Sequence, residues 1–324
     1  MTGYRIDVHS HFLGGPVTRL FDSRNYFGKA APKIPEWTVD KAMEFMADHD
    51  IATQVLSLPL TFDERFDEPA SASSFVREVN ECYAELIRDH PSRFGAFAVV
   101  PTSSTDAALA EIDYAIDCLG LDGVCLNSNS AGRYFGDPFY EPIFAEVARR
   151  DVPVFVHPHD CPHIEALAQG RTAAIVEFPF DTARTINNAI YTGVFLRHPG
   201  LKVIVAHCGG VLPMLGWRIR ALSALRSDHD EALSEQQFAD ALGSLYYDIA
   251  LAGSRNSLLP TLEVTTPDHL LFGTDYPAAP PWVIDENTSN LTSFDGFTPA
   301  QLAAIEHGNA AALFPRLATT TVSE

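Results

Sequence analysis

One stretch limits what this chain can fold into more than any other: Ile6-Asp7-Val8-His9-Ser10-His11-Phe12. It is a β-branched and apolar run that stops at His-x-His. A strand alternates its side chains, so His9 and His11 point the same way. Two imidazoles on one face make half of a metal site, although a surface strand with two chance histidines reads the same in isolation. Three later stretches tip the balance. Val156-His157-Pro158-His159, Val205-Ala206-His207-Cys208 and Phe272-Gly273-Thr274-Asp275 each stop an apolar strand at a potential ligand.

Further strands fall near residues 53–60, 94–100, 123–127, 152–157, 201–207, 245–250 and 269–275, and helical patterns separate them. Ala42, Phe45 and Met46 recur at helical spacing on the first helix, as do Leu109, Ile112, Ile116 and Leu119 on a later one. The strands are apolar on both faces, as parallel strands covered by helices must be. Eight strand–helix alternations predict an α/β protein with a single (β/α)8 TIM barrel, one domain spanning residues 1–324. A doubly wound open sheet competes, but no Gly-x-Gly-x-x-Gly turn follows the first strand. Two additions are expected: an irregular insertion after strand 1, from Leu13 to Glu36, and a closing C-terminal helix from Pro299 to Phe314. Asp181 is expected to cap a helix reaching Arg197, and the polar tail after Leu317 to fray.

Active sites of such barrels lie at the C-terminal ends of the strands. Strands 1 and 8 are neighbours in the closed barrel, and strands 5 and 6 face them. Closure therefore brings His9, His11, His157, His207 and Asp275 into one mouth. Buried histidines are often satisfied by hydrogen bonds alone, but five ligand-type residues at one end favour a site. His159 shares strand parity with His157, yet Pro158 bends the chain between them.

The formal net charge is −20, from 22 Lys+Arg against 42 Asp+Glu. That argues against nucleic acid or an anionic membrane as the main partner and favours a soluble protein. An anionic substrate would need local positive charge from a metal or an arginine. The five cysteines form no C-x-x-C pair, which points to free thiols in a reducing, cytoplasmic setting. The N-terminus has no basic start followed by an apolar run. No apolar span approaches the about 18 residues of a membrane helix.

The motifs carry a resemblance. His9-x-His11, His157, Ala206-His207-Cys-Gly-Gly210 and Gly273-Thr-Asp-Tyr-Pro277 resemble the amidohydrolase superfamily. More narrowly they resemble its decarboxylase branch, typified by aminocarboxymuconate semialdehyde decarboxylase. Glu177-Phe-Pro-Phe-Asp-Thr-Ala-Arg184 and Gly132-Arg-Tyr-Phe-Gly-Asp-Pro138 are similar to 6-methylsalicylate-type decarboxylases. The resemblance implies a single divalent metal held by His9, His11, His157 and Asp275, with His207 beside it. Relatives with two metals bridge them by a carbamylated lysine ending strand 4. None of the four lysines here, Lys29, Lys33, Lys41 and Lys202, stands there; Asn127 does. His-x-His in place of the Glu-x-His of some members tilts the metal to Zn2+ over Mn2+.

The activity expected from this resemblance is metal-dependent, non-oxidative decarboxylation of a small aromatic, salicylate-like, or unsaturated carboxylic acid. His207, Asp275 or the metal's water would supply the proton. The alternative is a hydrolase of a lactone or amide, with Asp275 or His207 as base. A barrel that keeps a metal only for stability is the non-enzymatic reading. Arg218 lies on the helix after strand 6, where an arginine of the family crosses a dimer interface to bind a substrate carboxylate. A homodimer or larger assembly is therefore expected. Phe12, Trp282 and Phe294 could wall an aromatic pocket, and could equally be core or rim. Arg184 reads as a structural ion-pair residue.

Overall fold

The computed structural model describes residues 4–24, 36–58, 66, 68–225 and 230–318. Its centre is an eight-stranded parallel sheet in chain order. The strands are β1 (Arg5–His11), β2 (Ile51–Ser57), β3 (Phe94–Val99), β4 (Gly123–Asn127), β5 (Val154–His157), β6 (Val203–Val205), β7 (Tyr246–Asp248) and β8 (Leu270–Leu271). The last strand returns to the first. The Val8 amide donates to the Phe272 carbonyl at 3.0 Å, and the Asp275 amide to the His9 carbonyl at 2.8 Å. Ser10 bridges to Tyr276. The sheet closes, and the fold is the (β/α)8 barrel.

A buried carboxylate knits this closure. Asp7 accepts hydrogen bonds from the Ser10 and Thr274 hydroxyls at 2.7 Å each, the Thr274 amide at 3.1 Å and the Gln54 amide at 3.3 Å. One side chain thus ties β1 to its neighbours on both sides, and burial raises its pKa.

Apolar residues fill two shells. Ile6, Val55, Phe97, Cys125, Phe155, Ile204 and Leu271 occupy the barrel interior, where Leu313 and Phe314 of the C-terminal segment join them. Phe314 meets Phe97 edge-on at 5.7 Å, Phe97 stacks on Phe155 at 5.1 Å, and Phe155 stands 5.0 Å from the His9 ring. A column of aromatic rings therefore runs from the barrel floor to the histidines. The outer shell lies between strands and helices.

Some of the helices begin at a side-chain cap. After α1 (Pro16–Arg24) comes α2 (Val39–Asp48), where the Thr38 hydroxyl accepts from the Lys41 amide, and Ala42, Phe45 and Met46 face the core. The others that matter here are α3 (Pro69–Asp89), α4 (Thr105–Asp113), α5 (Glu141–Arg149), α6 (Glu177–Tyr191), α7 (Leu212–Ala221), α8 (Glu235–Gly243), α9 (Arg255–Leu262) and α10 (Pro281–Thr292). The closing helix runs from Pro299 through a π-helical turn at Ala304–Gly308 to Leu313, opened by a Thr298–Gln301 capping box.

Three expectations need correction. The insertion after β1 is not irregular throughout, since α1 opens it; residues 25–35 lie outside the described residues, as does the tail from 319 onward. Asp181 does not cap its helix. α6 begins at Glu177, which puts Asp181 inside it, fully buried, as a hydrogen-bond acceptor. β1 is not a plain alternating ribbon either, because its register with β2 shifts between Asp7 and Ser10.

Candidate metal centre and active site

The mouth is built by strand ends. His9 and His11 come from β1 and His157 from the last residue of β5; His207 and Asp275 follow β6 and β8. One donor atom from each of His9, His11, His157 and Asp275 lies within 4.8 Å of the others. The His11 Nε2 is 2.8 Å and the His9 Nε2 3.4 Å from the Asp275 Oδ1. Ring centroids of His9, His11 and His157 stand about 5 Å apart, at 5.0, 5.1 and 4.9 Å. Side chains 264 positions apart in sequence thus meet directly.

Each histidine is held from behind. The His9 Nδ1 faces the Asp248 Oδ2 at 3.0 Å, the His11 Nδ1 the Ser57 hydroxyl at 3.0 Å, and the His157 Nδ1 the Pro158 carbonyl at 2.8 Å. The His207 Nδ1 faces the Ala250 carbonyl at 2.9 Å. A proton on Nδ1 leaves Nε2 as the free lone pair, the tautomer a metal ligand needs. The His9 Nε2 is buried and has no hydrogen-bond partner among the described residues. A buried imidazole nitrogen aimed at two more imidazoles and a carboxylate fits a divalent ion.

The electrostatics agree. Burial pushes Asp275 up, but the hydrogen bond with His11 and the close approach of His9 more than reverse this and hold it well below the usual carboxylate range. Burial keeps His157 well below the ordinary imidazole value, and His11 lowered as well. His9 moves the other way: burial lowers it, yet Asp248 and Asp275 carry it up to about 10.

His207 is placed by a turn rather than by its strand. Ile204 and Ala206 face the barrel interior, so plain alternation would turn His207 outward. Its backbone is left-handed, at φ 56°, and so is that of Cys208, at 52°. The ring comes back to within 4.8 Å of His9 and 5.9 Å of His157. Gly210 makes the turn possible. Its φ is +62°, and a Cβ there would stand 2.3 Å from the Pro179 carbonyl oxygen. Gly273 is required by close approach, since a Cβ would lie 2.9 Å from the His9 Cβ.

Asp248 is the residue that sequence reading missed. It is fully buried at the end of β7. Besides His9, it accepts from the His207 amide at 3.3 Å and the Ala250 amide at 2.9 Å. The signal was available: Tyr246-Tyr247-Asp248 is another apolar strand stopping at a potential ligand. Phe178 was passed over too. It is half-buried at the start of α6, its ring 6.4 Å from His157.

The structure does not bring the expected substrate residues together. Phe12 is packed edge-on against Trp37 at 4.7 Å and Tyr83 at 5.2 Å, in the core. Phe294 is buried against Phe297 beyond the end of α10. Trp282 is 66% exposed at the start of α10. Arg218 is exposed on α7 and makes no ion pair among the described residues. Arg184 does form an ion pair, with Asp181 at 2.6 Å. Among the described residues, no helix is long and apolar enough to cross a membrane.

Residues 6–316 match the amidohydrolase family. The chain belongs to that family. A 6-methylsalicylic acid decarboxylase of Aspergillus aculeatus is 31% identical to it, over 97% of this chain and 96% of the relative. A gamma-resorcylate decarboxylase of a Rhizobium species is 28% identical, over 74% of this chain and 76% of the relative. A solved 2,6-dihydroxybenzoate decarboxylase, complexed with 2,6-dihydroxybenzoate, has a TM-score of 0.79 over 97% of this chain and 100% of its own, at 25% identity.

Proposed function

We propose that this chain is a metal-dependent, non-oxidative carboxy-lyase acting on a small hydroxybenzoate of the salicylate type. The observation that carries the reading is the mouth itself: three histidines and one aspartate converge, and a fourth histidine stands beside them. The decarboxylase relatives, which span nearly the whole chain, favour this reading over a lactone or amide hydrolase. His9, His11, His157 and Asp275 would hold one divalent ion. An imidazole-rich set favours Zn2+ over Mn2+. When bound, the ion supplies Lewis acidity that holds and polarises a carboxylate and an adjacent hydroxyl.

The reaction exchanges one bond for another. A proton is delivered to the ring carbon that carries the carboxyl group; the C–C bond then breaks, and its electron pair restores the ring as carbon dioxide leaves. Asp275 is a poor source of that proton, because its Oδ1 is engaged by His11 and His9 and the group stays ionised. His207 is better placed. The Ala250 carbonyl fixes its Nδ1, and its Nε2 makes no hydrogen bond among the described residues. His207 therefore holds the proton and delivers it. Phe178 offers an aromatic wall beside His157.

Carbon dioxide release from 6-methylsalicylate and a panel of hydroxybenzoates tests this, with one deuterium entering the former carboxyl carbon in heavy water. Turnover of lactones without any release of carbon dioxide would hand the function to the hydrolase reading. Metal analysis of the pure protein should find about one zinc per chain; manganese in its place overturns the metal assignment. All five cysteines are free thiols, which supports action in the cytoplasm.

The outer face of α7 supports a homodimer. Trp217 and Met214 are 71% and 70% exposed there, beside Arg218, which makes no ion pair among the described residues. Arg218 of one protomer would bind the substrate carboxylate in its partner. Mixing inactive Arg218→Ala and His11→Ala chains should then restore one site in two. No recovery, with subunit exchange confirmed, removes Arg218 from the partner's site.

A further inference from the structure

Asn127, Ser128 and Asn129 are three successive polar residues at the end of β4, and their hydrogen bonding differs sharply. Ser128 donates its hydroxyl to Asp181 and its amide to the His157 carbonyl at 2.8 Å. Asn129 donates its side-chain amide to the same Asp181 at 2.8 Å. Asp181 also accepts from Tyr134 at 2.7 Å and Arg184 at 2.6 Å, so its network is closed without Asn127. The Oδ1 of Asn127 is buried with no partner among the described residues. Leaving a buried acceptor unpaired is costly, and such a group calls for a partner.

Register shows where this amide sits. Asn127 is paired directly with His157, and Cys125 beneath it with Phe155. Cys125 and Phe155 both face the barrel interior. By the strand period of two, Asn127 and His157 form the next layer up, the layer that faces the mouth. The strand end is held by the Ser128 and Asn129 bonds, which sets the Asn127 position beside His157, a proposed metal ligand.

We infer that Asn127 is a substrate-binding residue whose Oδ1 accepts a hydrogen bond from the ring hydroxyl of a hydroxybenzoate. It is thereby a determinant of preference for hydroxylated over plain aromatic acids. This rests on the proposed decarboxylase function and adds to it the group that reads the hydroxyl. A site with a buried polar group penalises an analogue that leaves the group unpaired, which is the strongest form of small-molecule discrimination.

The test is equilibrium binding of salicylate and benzoate by titration calorimetry, in a His207→Ala background so that turnover does not interfere, with metal content measured alongside. The parent should bind salicylate at least about tenfold more tightly than benzoate, the size of one hydrogen bond. Asn127→Ala should shrink that ratio by about tenfold, with benzoate affinity and metal content unchanged. Asn127→Asp keeps the acceptor; its charge weakens both acids together and should leave the ratio near the parent's. Equal weakening of both acids by Asn127→Ala, or no change in the ratio, overturns the inference while the function stands. A parent that binds neither acid, in an enzyme that releases no carbon dioxide, overturns the function and this inference with it.

Discussion

The two sides of the barrel mouth deliver their side chains by different means. On one side, β1 and β5 run seven and four residues and carry His9, His11 and His157 within the strands themselves. On the other, β6, β7 and β8 are three, three and two residues long. There His207 and Asp275 lie past the strand ends, on left-handed backbone at φ 56° and 63°. Such a conformation costs a non-glycine residue on the order of 1–3 kcal/mol and persists only where its surroundings over-determine it. The surroundings here are Asp248 beneath His207, Gly210 against Pro179, and the His9 carbonyl accepting from the Asp275 amide. One side is positioned within strands, His157 by the pleat of β5 and the β1 pair by a register shift after interior Ile6 and Val8, the other by turns locked from outside.

The largest effects should separate ligand from proton carrier across these two sides. His11→Ala on the strand side should lose the ion and at least roughly 10³-fold in activity, since the Lewis acid is worth several kcal/mol and each 1.36 kcal/mol is tenfold. His207→Ala on the turn side should keep most of the ion and lose roughly 10²- to 10⁴-fold. Metal analysis of both pure variants decides. A metal-free His207→Ala chain would mean that this turn supplies a ligand.

Asp248→Asn attacks the clamp shared by both sides, because the same carboxylate holds His9 and His207. A loss of roughly 10- to 100-fold in metal affinity or kcat is expected. Unchanged values for both would show that the histidines are positioned without it.

The pH dependence comes next. His9 is raised to about 10 with no ion bound, and a metal ligand must be neutral at its bound nitrogen. Binding between neutral pH and about 10 therefore displaces a proton, and affinity should rise by up to about tenfold per pH unit before levelling. For the metal-free fold the sign is opposite. The contribution of protonated His9 is complete below its unfolded value near 6.5 and is lost as pH rises through about 10. Competition against a chelating dye across this range checks the first statement; a flat affinity profile contradicts it.

Gly210→Ala should have the smallest effect on chemistry and a clear one on stability. The added Cβ strikes the Pro179 backbone at a position of positive φ, for a cost of about 1–3 kcal/mol. A comparable change on the regular side, Val156→Ala, would cost through lost packing instead. Thermal unfolding of the two, with kcat, sharpens the contrast. If only Gly210→Ala lowers kcat, turn geometry positions His207.

The same division explains what could be read from the sequence. His9, His11 and His157 announce themselves by period and position, and the eight apolar runs imply the barrel that joins them. Asp275 and His207 were found because each ends an apolar run, though alternation alone would have aimed His207 outward. Its return depends on φ values that no residue pattern states. Asp248 obeyed the strand-end rule and was still overlooked, because its partner is a histidine more than two hundred residues upstream. The aromatic walls failed for another reason. Phe12 and Phe294 have the same composition signal as a pocket residue, and only packing distinguishes core from mouth.

Asp7 gives the barrel a seam with a history. It lies near the start of the chain, and its principal donors at Thr274 lie near the end. A ribosome delivers them far apart in time. Until the segment after β8 emerges, the first strand has no neighbour on one side, the Asp7 carboxylate lacks two of its five donors, and the two histidines beside it lack Asp275. The candidate metal site is thus among the last features the nascent chain can complete, and a prematurely ended chain has no means of imitating it. If the site takes an ion as proposed, loading would report that translation reached the far end of the barrel.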